Sequence, residues 1–283
     1  MKKSRAASIF RRHRLADTRT VLIPNQWNGS VQQYYHFLLG YLAPIIEWTR
    51  KHPGRAVAVR DCGPMNRWFD LLRPECDVEI MTVGDVLHVL AGDLQPHTVL
   101  RGLDFPEEFS PSKLHNFAAA TLTTAQQRVE RGIDRYPILV SDRSSSDDFF
   151  STPAAEWPES GSQKRSVPNL AEMVASWNAP DIHLLDGATT DIYEQIVIHS
   201  SARILIGQHG AGLTNMVWMP RGSVVIEILP PMPDDAQNIF ANLAQALGHQ
   251  HLLVYQESVH APVGAGELQD AIVLARTLVL PDH

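Results

Sequence analysis

A histidine and three glycines follow a short apolar run in the stretch ILIGQHGAGLTNMVWMPRGSVVIEILP, residues 204–230. The apolar residues 204–206 predict a strand, the residues after the glycines predict a helix, and residues 224–229 predict a second strand. A strand-to-helix turn presents free backbone N–H groups at the positive end of a helix dipole, and glycine lets an anion approach closely. Gly207, Gly210 and Gly212 therefore predict a phosphate site, with tight strand–helix packing as the alternative.

Polar side chains surround these glycines. Thr214 and Asn215 would add side-chain donors in the first turn, and His209 would lie at the lip of the sheet, within reach of a phosphate or a sugar hydroxyl. Glu227 ends the next strand, and an acid at about that offset binds ribose hydroxyls in dinucleotide folds. The full G-x-G-x-x-G motif is missing, because Asn215 stands at its last position.

Strands and helices are predicted to alternate along almost the whole chain. Predicted strands cover residues 20–24, 56–60, 78–81, 137–141, 182–185, 204–206, 224–229 and 251–255. Predicted helices cover residues 33–50, 67–72, 112–131, 169–177, 190–200, 235–247 and 267–278, while residues 84–90 fit either type. Pro44 should kink or restart the first helix. Thr189 or Thr190 is the expected cap of helix 190–200, and Gly248 should end helix 235–247.

This alternation predicts an α/β fold with parallel sheets and crossover helices. About ten candidate strands are many for one doubly wound sheet of this length, so two smaller Rossmann-like halves fit better. The boundary is expected between residues 142 and 168, where Ser, Pro, Asp and Glu accumulate. A cleft between two such domains is a common place for a ligand.

Composition narrows the possible partners. The 283-residue chain carries a net charge of −7, yet its first 16 residues contain six basic residues and no acid. The acidic remainder argues against nucleic-acid binding. The basic start is either a solvated tail or a weak attraction to an anionic membrane face. Two cysteines cannot form a disulfide framework, so a reducing compartment is the default, and no apolar run is long enough for a membrane span or a signal-peptide core.

Several other site types lack their motifs. The sequence has no G-x-x-x-x-G-K-[ST] loop, no G-x-S-x-G elbow and no H-E-x-x-H pair. These absences argue against a Walker-type nucleotide site, a serine hydrolase and a zinc protease. His249 and His251 lie two residues apart, but no third metal ligand is placed nearby.

The segment HGAGLTNMVWMPRGSVVIEILP resembles the signature of glycosyltransferase family 61. The residues that match the family pattern in order are His209 to Asn215, Pro220, Gly222, Ser223, Glu227 and Pro230. Shorter segments are similar as well, namely Tyr35 to Leu39, Val140 to Arg143, and Arg165 followed by Asn169. The resemblance is strong over residues 182–231 and looser over the rest of residues 30–256.

The resemblance implies a GT-B-like fold, in which two Rossmann-like parallel-sheet domains face a cleft. Residues 17–150 would form the acceptor side and residues 165–283 the nucleotide-sugar donor side. It implies an inverting transfer of a sugar from a nucleoside diphosphate sugar to a hydroxyl of a polysaccharide or glycan, without a metal or other cofactor. The expected location is cytoplasmic, with a peripheral contact at the inner membrane face through the basic N-terminus.

The resemblance also implies roles for individual residues. The expected donor-binding residues are Arg143, Arg165, Asn169, His209, Gly210, Ala211, Gly212, Leu213, Thr214, Asn215 and Glu227. The acceptor hydroxyl needs a base, for which His36 and Asp61 are the candidates, and His36 could instead be a structural residue. The chain departs from the family pattern at Gln33, Gly40 and Asp142. A non-catalytic glycan- or partner-binding relative and a dinucleotide-dependent oxidoreductase therefore remain as alternatives.

Overall fold

The computed structural model of the protein describes residues 20–23, 30–73, 76–90, 99–101, 110–129, 133–143, 147–157 and 160–279. The basic residues 1–16 lie outside these ranges, so their predicted role is not addressed by the structure. The chain forms two compact units, Met1–Phe105 and Pro106–His283. None of the helices in the described ranges is long and apolar enough to cross a bilayer.

The first unit is built on a four-stranded parallel sheet in the order β3-β2-β1-β4. Its strands are β1 (Thr20–Ile23), β2 (Val57–Arg60), β3 (Val78–Met81) and β4 (Val99–Arg101). The Tyr41 hydroxyl lies between two of them, since it donates to the Leu22 carbonyl and accepts from the Arg60 amide. Aromatic rings pack around it, with Phe37, Tyr41 and Phe69 meeting edge to face.

The helices of the first unit include one irregular segment, which lies just before Pro44. The structure places α1 at Tyr34–Phe37, a π-turn at Leu38–Leu42, α2 at Ala43–Lys51, a 3-10 helix at Gly63–Leu71 and α3 at Val83–Leu90. The Ala43 amide bonds back to the Leu38 carbonyl, five residues earlier, so the widened turn ends where Pro44 enters the first turn of α2. The backbone stays helical from Tyr34 to Lys51, so the predicted kink or restart takes the form of a widened turn just before Pro44, which has no N–H to donate.

The second unit contains a five-stranded parallel sheet in the order β6-β5-β7-β8-β9. Its strands are β5 (Ile138–Asp142), β6 (Ile182–Asp186), β7 (Ile204–Gln208), β8 (Val224–Leu229) and β9 (Gln250–Tyr255). The three central strands are mostly buried runs of Ile, Leu and Val. Such continuous apolar runs are typical of parallel strands that helices cover on both faces.

Helices and short 3-10 segments connect these strands. They are α4 (Pro111–Arg128), a 3-10 turn (Asp148–Ser151), α5 (Gly161–Lys164), α6 (Leu170–Trp177), α7 (Ile192–His199), a 3-10 helix (Ala211–Trp218), α8 (Asp234–Gln237), α9 (Ile239–Leu247) and α10 (Ala265–Leu278). One face of the sheet packs against α6 and α10 in a single apolar cluster. On the 3-10 helix Ala211–Trp218, the Trp218 indole donates to Thr121 of α4 at 2.8 Å.

Two predicted helix ends have different outcomes. Gly248 ends α9 in the left-handed conformation, with φ of 76°, as predicted. The predicted threonine cap of α7 is wrong: the Asp191 carboxylate accepts from the Tyr193 and Glu194 amides. A carboxylate is an equally good cap and also suits the positive end of the helix dipole, while the Thr190 hydroxyl donates to the Asp186 carbonyl instead.

The α/β class with parallel sheets is confirmed, but the chain divides earlier than the predicted boundary between residues 142 and 168. Residues 106–150, assigned from sequence to the first domain, lie in the second unit. The reason is strand pairing, since β5 lies between β6 and β7. The acceptor and donor roles of the two halves stay predictions.

Candidate functional site

The second sheet has its topological switch point between β5 and β7. These strands are neighbours, and the chain builds outward from them in opposite directions, to β6 on one side and to β8 and β9 on the other. In open α/β sheets, ligands bind at the carboxyl ends of the strands beside such a point. Arg143 directly follows β5 and His209 directly follows β7, so two of the predicted donor-binding residues meet at this edge.

Two arginines converge on one carbonyl there. The His209 carbonyl accepts from Arg143 Nη2 at 2.7 Å and from Arg165 Nη1 at 3.0 Å. Arg143 Nη1 also donates to the Gly161 carbonyl at 3.2 Å. In the part of the chain that the structure describes, neither guanidinium forms an ion pair with a carboxylate. Two cations thus share a site without a direct acidic partner.

Burial makes this arrangement costly for the cations. Burial, together with the nearby charge of Arg165, lowers the pKa of Arg143 to about 10. Burial also lowers the pKa of Arg165, although the negative charge of Glu227 opposes that shift. An anion bound between the two guanidinium groups would relieve both effects, because it would supply the missing counter-charge.

The glycines next to these arginines have a steric role. A Cβ atom on Gly210 would lie 1.7 Å from Arg143 Nη2, and one on Gly212 would lie 2.6 Å from Ser141 Oγ. Only glycine lets the guanidinium and the Ser141 hydroxyl come this close to the backbone. At Gly212 the neighbour is Ser141 of β5, which is the strand–helix packing of the sequence alternative, whereas Gly210 meets the Arg143 side chain. Neither contact excludes anion binding, and the phosphate site stays a prediction.

The start of the 3-10 helix Ala211–Trp218 offers backbone donors. Gly210, Ala211 and Gly212 are partly exposed. Within the described residues, their three amides donate to no protein acceptor, and the first bond of this turn is from the Leu213 amide to the Gly210 carbonyl. Unpaired N–H groups at such a helix start are available to an anion.

The next three residues of the motif face the interior. Leu213 and Thr214 are fully buried and Asn215 is 3% exposed. Leu213 packs beneath Gly207, where an added Cβ would come within 3.1 Å of it. The side-chain contacts predicted for Thr214 and Asn215 are not compatible with this burial. The contact predicted for Leu213 is through its backbone amide and stays a prediction.

Glu227 is also turned inward, between two imidazoles. The carboxylate is 0% exposed; one oxygen bonds His209 Nδ1, and the other bonds His251 Nε2 at 2.7 Å. Burial alone would raise the pKa of Glu227, but the hydrogen bonds and charges of the two histidines outweigh it and hold the pKa below its usual value. The predicted ribose contact of Glu227 is therefore wrong in this arrangement, because neither oxygen reaches the surface. The oxidoreductase alternative loses its ribose ligand for the same reason.

Asn169 has a structural role in place of the predicted donor contact. Its side-chain Nδ2 donates to the Val263 carbonyl at 2.8 Å, and its Oδ1 accepts from the Val263 amide at 3.0 Å. The Asn169 side-chain amide thus bonds both backbone groups of Val263, as a neighbouring strand would. It fixes the start of α6 to the segment before α10.

The two candidate bases lie in the first unit. Asp61 Oδ1 accepts from the Gly63 amide at 2.9 Å and from Asn66 Nδ2 at 2.8 Å, so this carboxylate orders the start of the 3-10 helix Gly63–Leu71. His36 is partly buried in α1 and meets the Tyr35 ring edge-on at 5.3 Å.

Sequence reasoning missed His251 as part of this site. In the β8–β9 register, His251 pairs with Val225 and Leu253 pairs with Glu227. Because side chains two apart on a strand share a face, His251 and Glu227 lie on the same face of the sheet. A histidine on the core-facing side of a strand next to a buried acid would indicate this contact. The sequence reveals it only when the pairing of the two strands is known.

Comparison with known proteins supplies the family. The profile described as Glycosyltransferase 61 matches residues 34–226, more than half of the chain. The chain belongs to the glycosyltransferase 61 family. The matched region of this glycosyltransferase 61 protein contains every predicted site residue except Glu227, and the membership supports a glycosyl-transferring enzyme in general terms.

The remaining comparisons add no argument about function. No curated protein matches the chain. Among solved structures, it is similar to the crystal structure of thiosulfate sulfurtransferase from Pseudomonas aeruginosa, at 14% identity and a TM-score of 0.26. That match covers 92% of this chain and 45% of the other, so the chain spans less than half of that protein's length.

Proposed function

We propose that this glycosyltransferase 61 protein is an inverting enzyme that moves a sugar from a nucleoside diphosphate sugar to a hydroxyl of a polysaccharide or glycan. The observation that carries the proposal is the pair of arginines, Arg143 and Arg165, on the His209 carbonyl without an acidic ion-pair partner among the described residues. They lie at the switch point of a parallel sheet, next to three amides that donate to no acceptor in the described part of the chain.

The proposed chemistry requires charge stabilisation at the leaving group. The acceptor oxygen forms a bond to the anomeric carbon, the bond from that carbon to the diphosphate breaks, and its electron pair stays on the phosphate. Fixed donors that meet this growing negative charge lower the barrier. Arg143, Arg165 and the amides of Gly210, Ala211 and Gly212 would supply these donors. The proposed reaction requires no metal or other cofactor.

The acceptor side requires a base for the hydroxyl proton. We assign this role to His36, with Asp61 as the alternative. One oxygen of Asp61 already accepts two hydrogen bonds at the start of a 3-10 helix. That oxygen is occupied in ordering the backbone at the helix start, which favours His36.

Several broader features are part of the same proposal. The protein would have a GT-B-like fold, with the first unit taking the acceptor and the second the donor. The enzyme would work in the cytoplasm, with the basic residues 1–16 in peripheral contact with an anionic membrane.

Thermal denaturation with a panel of nucleoside diphosphates and their sugars tests the donor site. A bound ligand raises the melting temperature because it binds only the folded state. Arg165→Gln should abolish the increase. Arg276→Gln is a matched control, since Arg276 is an exposed arginine paired with Asp181, and it should keep the increase. The absence of any increase across the panel would rule out the donor site proposed above.

Product stereochemistry tests the mechanism. With the donor that gives the largest increase and a hydroxyl acceptor, NMR of the product should show the opposite anomeric configuration from the donor. His36→Ala should lower kcat by about a hundredfold or more, with the donor-induced thermal shift unchanged. Retention of configuration would contradict the inverting assignment, and an unchanged kcat would remove His36 as the base.

A further inference from the structure

We propose that Glu227 and His251 are positioning residues that fix the His209 imidazole so that its Nε2 atom accepts a hydrogen bond from a hydroxyl group of the bound sugar nucleotide. The inference rests on the proposed function for the phosphates, but it concerns another part of the ligand. His251 lies beyond the region that the family profile matches, residues 34–226.

The His209 and His251 rings share the Glu227 carboxylate. An ionised carboxylate only accepts hydrogen bonds. Glu227 is fully buried, and each of its oxygens bonds one imidazole nitrogen. Both of these nitrogens must therefore carry a proton: Nδ1 of His209 and Nε2 of His251. In a neutral His209 ring, the remaining nitrogen, Nε2, is then an acceptor.

Glu227 occupies one nitrogen of the His209 ring. Two guanidinium groups lie on the carbonyl of this residue, and the Glu227 carboxylate bonds Nδ1 of its ring. The second carboxylate oxygen is held by His251. Nε2 is therefore the nitrogen of His209 that is left for a ligand.

The His209 ring is restrained, but its Nε2 atom is not sealed in the core. His209 is buried to 4% exposure, and its ring meets Phe240 edge-on at 5.0 Å, which restrains the ring plane. Nε2 makes no hydrogen bond to any residue in the described ranges, yet it is not one of the buried polar atoms that lack a partner. This nitrogen therefore keeps some solvent exposure, on the residue that directly precedes Gly210 to Gly212 in the chain.

Neighbouring groups of the site would then have different roles. The arginines and the amides are donors, which suit phosphate oxygens. Nε2 of a neutral His209 is an acceptor, which suits a hydroxyl group and not a phosphate. Glu227 and His251 would contact no ligand themselves, since their effect passes through the orientation and tautomer of His209, as outer residues act on a catalytic histidine.

Paired substitutions at His251 test the proposal. His251→Leu removes the donor to Glu227, whereas His251→Gln can restore it with a side-chain amide. Affinity is measured for inorganic pyrophosphate and for the nucleoside diphosphate sugar that stabilises the protein most. His251→Leu should lower the affinity for the sugar nucleotide about tenfold and change the affinity for pyrophosphate less than twofold. His251→Gln should recover most of the lost affinity for the sugar nucleotide. Tyr255→Leu, at an exposed position of the same strand, should change neither affinity.

A spectroscopic measurement tests the tautomer without any ligand. At pH 8, ¹⁵N NMR of the imidazoles should show His209 protonated at Nδ1 in the wild type. In Glu227→Gln, this preference should decrease, because a side-chain amide can also donate to Nδ1.

The outcomes separate the two proposals. Failure of both pyrophosphate and the sugar nucleotide to bind would overturn the proposed function. Normal binding of both probes to His251→Leu, or an equal loss of both, would overturn the positioning role alone. A wild-type His209 protonated at Nε2 would overturn it as well, whatever the ligands do.

Discussion

Gly210→Ala should destabilise the second unit because the added methyl group and Arg143 cannot occupy the same space. The new Cβ would lie 1.7 Å from Arg143 Nη2 and 2.8 Å from its Cζ atom. The guanidinium would have to retreat by about half of the ordinary contact distance of 3.4 Å. This movement breaks the 2.7 Å bond to the His209 carbonyl and weakens the 3.2 Å bond to Gly161.

The expected cost can be built from these losses. Hydrogen bonds from charged donors contribute about 1.5–3 kcal/mol each, and the φ of 156° at Gly210 adds strain of about 1 kcal/mol for an alanine. A total near 3 kcal/mol corresponds to a fall of about 6–12 °C in the melting temperature of a unit of this size. Because the chain has two units, calorimetry that resolves two transitions is the suitable assay.

A double-mutant cycle isolates the contact. In an Arg143→Ala background, the alanine at position 210 meets no guanidinium, so only the backbone strain of about 1 kcal/mol remains. The two single losses should therefore exceed the loss in the double variant by about 2 kcal/mol. Gly266→Ala, on α10 with nothing within 4 Å of its added Cβ, should be neutral or stabilising. Additive losses at positions 143 and 210 would refute the steric reasoning.

Three further predictions concern other parts of the molecule. Burial lowers the pKa of His199 to about 4, so the stability that is present above the ordinary histidine pKa near 6.5 is lost as the pH falls towards 4. His199→Phe should therefore remove about 2 kcal/mol of the stability loss between pH 7 and pH 5, measured by calorimetry at both pH values. An unchanged dependence of stability on pH would contradict this prediction. Asn169→Leu should cost about 2–4 kcal/mol because both backbone groups of Val263 lose their partners, whereas Asn169→Asp, which can still accept, should cost less in the same urea titration. Tyr41→Phe should lower the stability of the first unit by about 1–3 kcal/mol, since it leaves two buried backbone groups without the phenol; a loss below about 0.5 kcal/mol would show that those groups find other partners.

The elements of this fold could be predicted from the sequence because their signals are local. Apolar runs such as residues 204–206 and 224–229 lie in strands β7 and β8. Pro44 and Gly248 act through their own backbone, so the irregular turn of one helix and the end of another follow from single residues. The cap of α7 shows the limit of such reasoning, because threonine and aspartate are both good caps and sequence alone does not choose between Thr190 and Asp191.

The candidate site could be predicted only in part. The sequence places Arg143 and His209 after strands, and the parallel sheet then brings them to one edge. It does not predict which motif residues face inward. Thr214, Asn215 and Glu227 have polar side chains that suit a ligand, yet all three are buried. A polar residue can serve the core as well as the surface when a buried partner satisfies it, as two histidines satisfy Glu227.

By itself, the sequence determined the alternation of strands and helices, the glycine turn after β7 and the membership in glycosyltransferase family 61. Each of these depends on residues that are close along the chain. Only the tertiary structure decided that Arg165 shares the His209 carbonyl with Arg143. It also decided that His251 bonds Glu227, the carboxylate that bonds the His209 ring. Strand pairing and side-chain direction set these contacts, and both depend on how distant segments pack against each other.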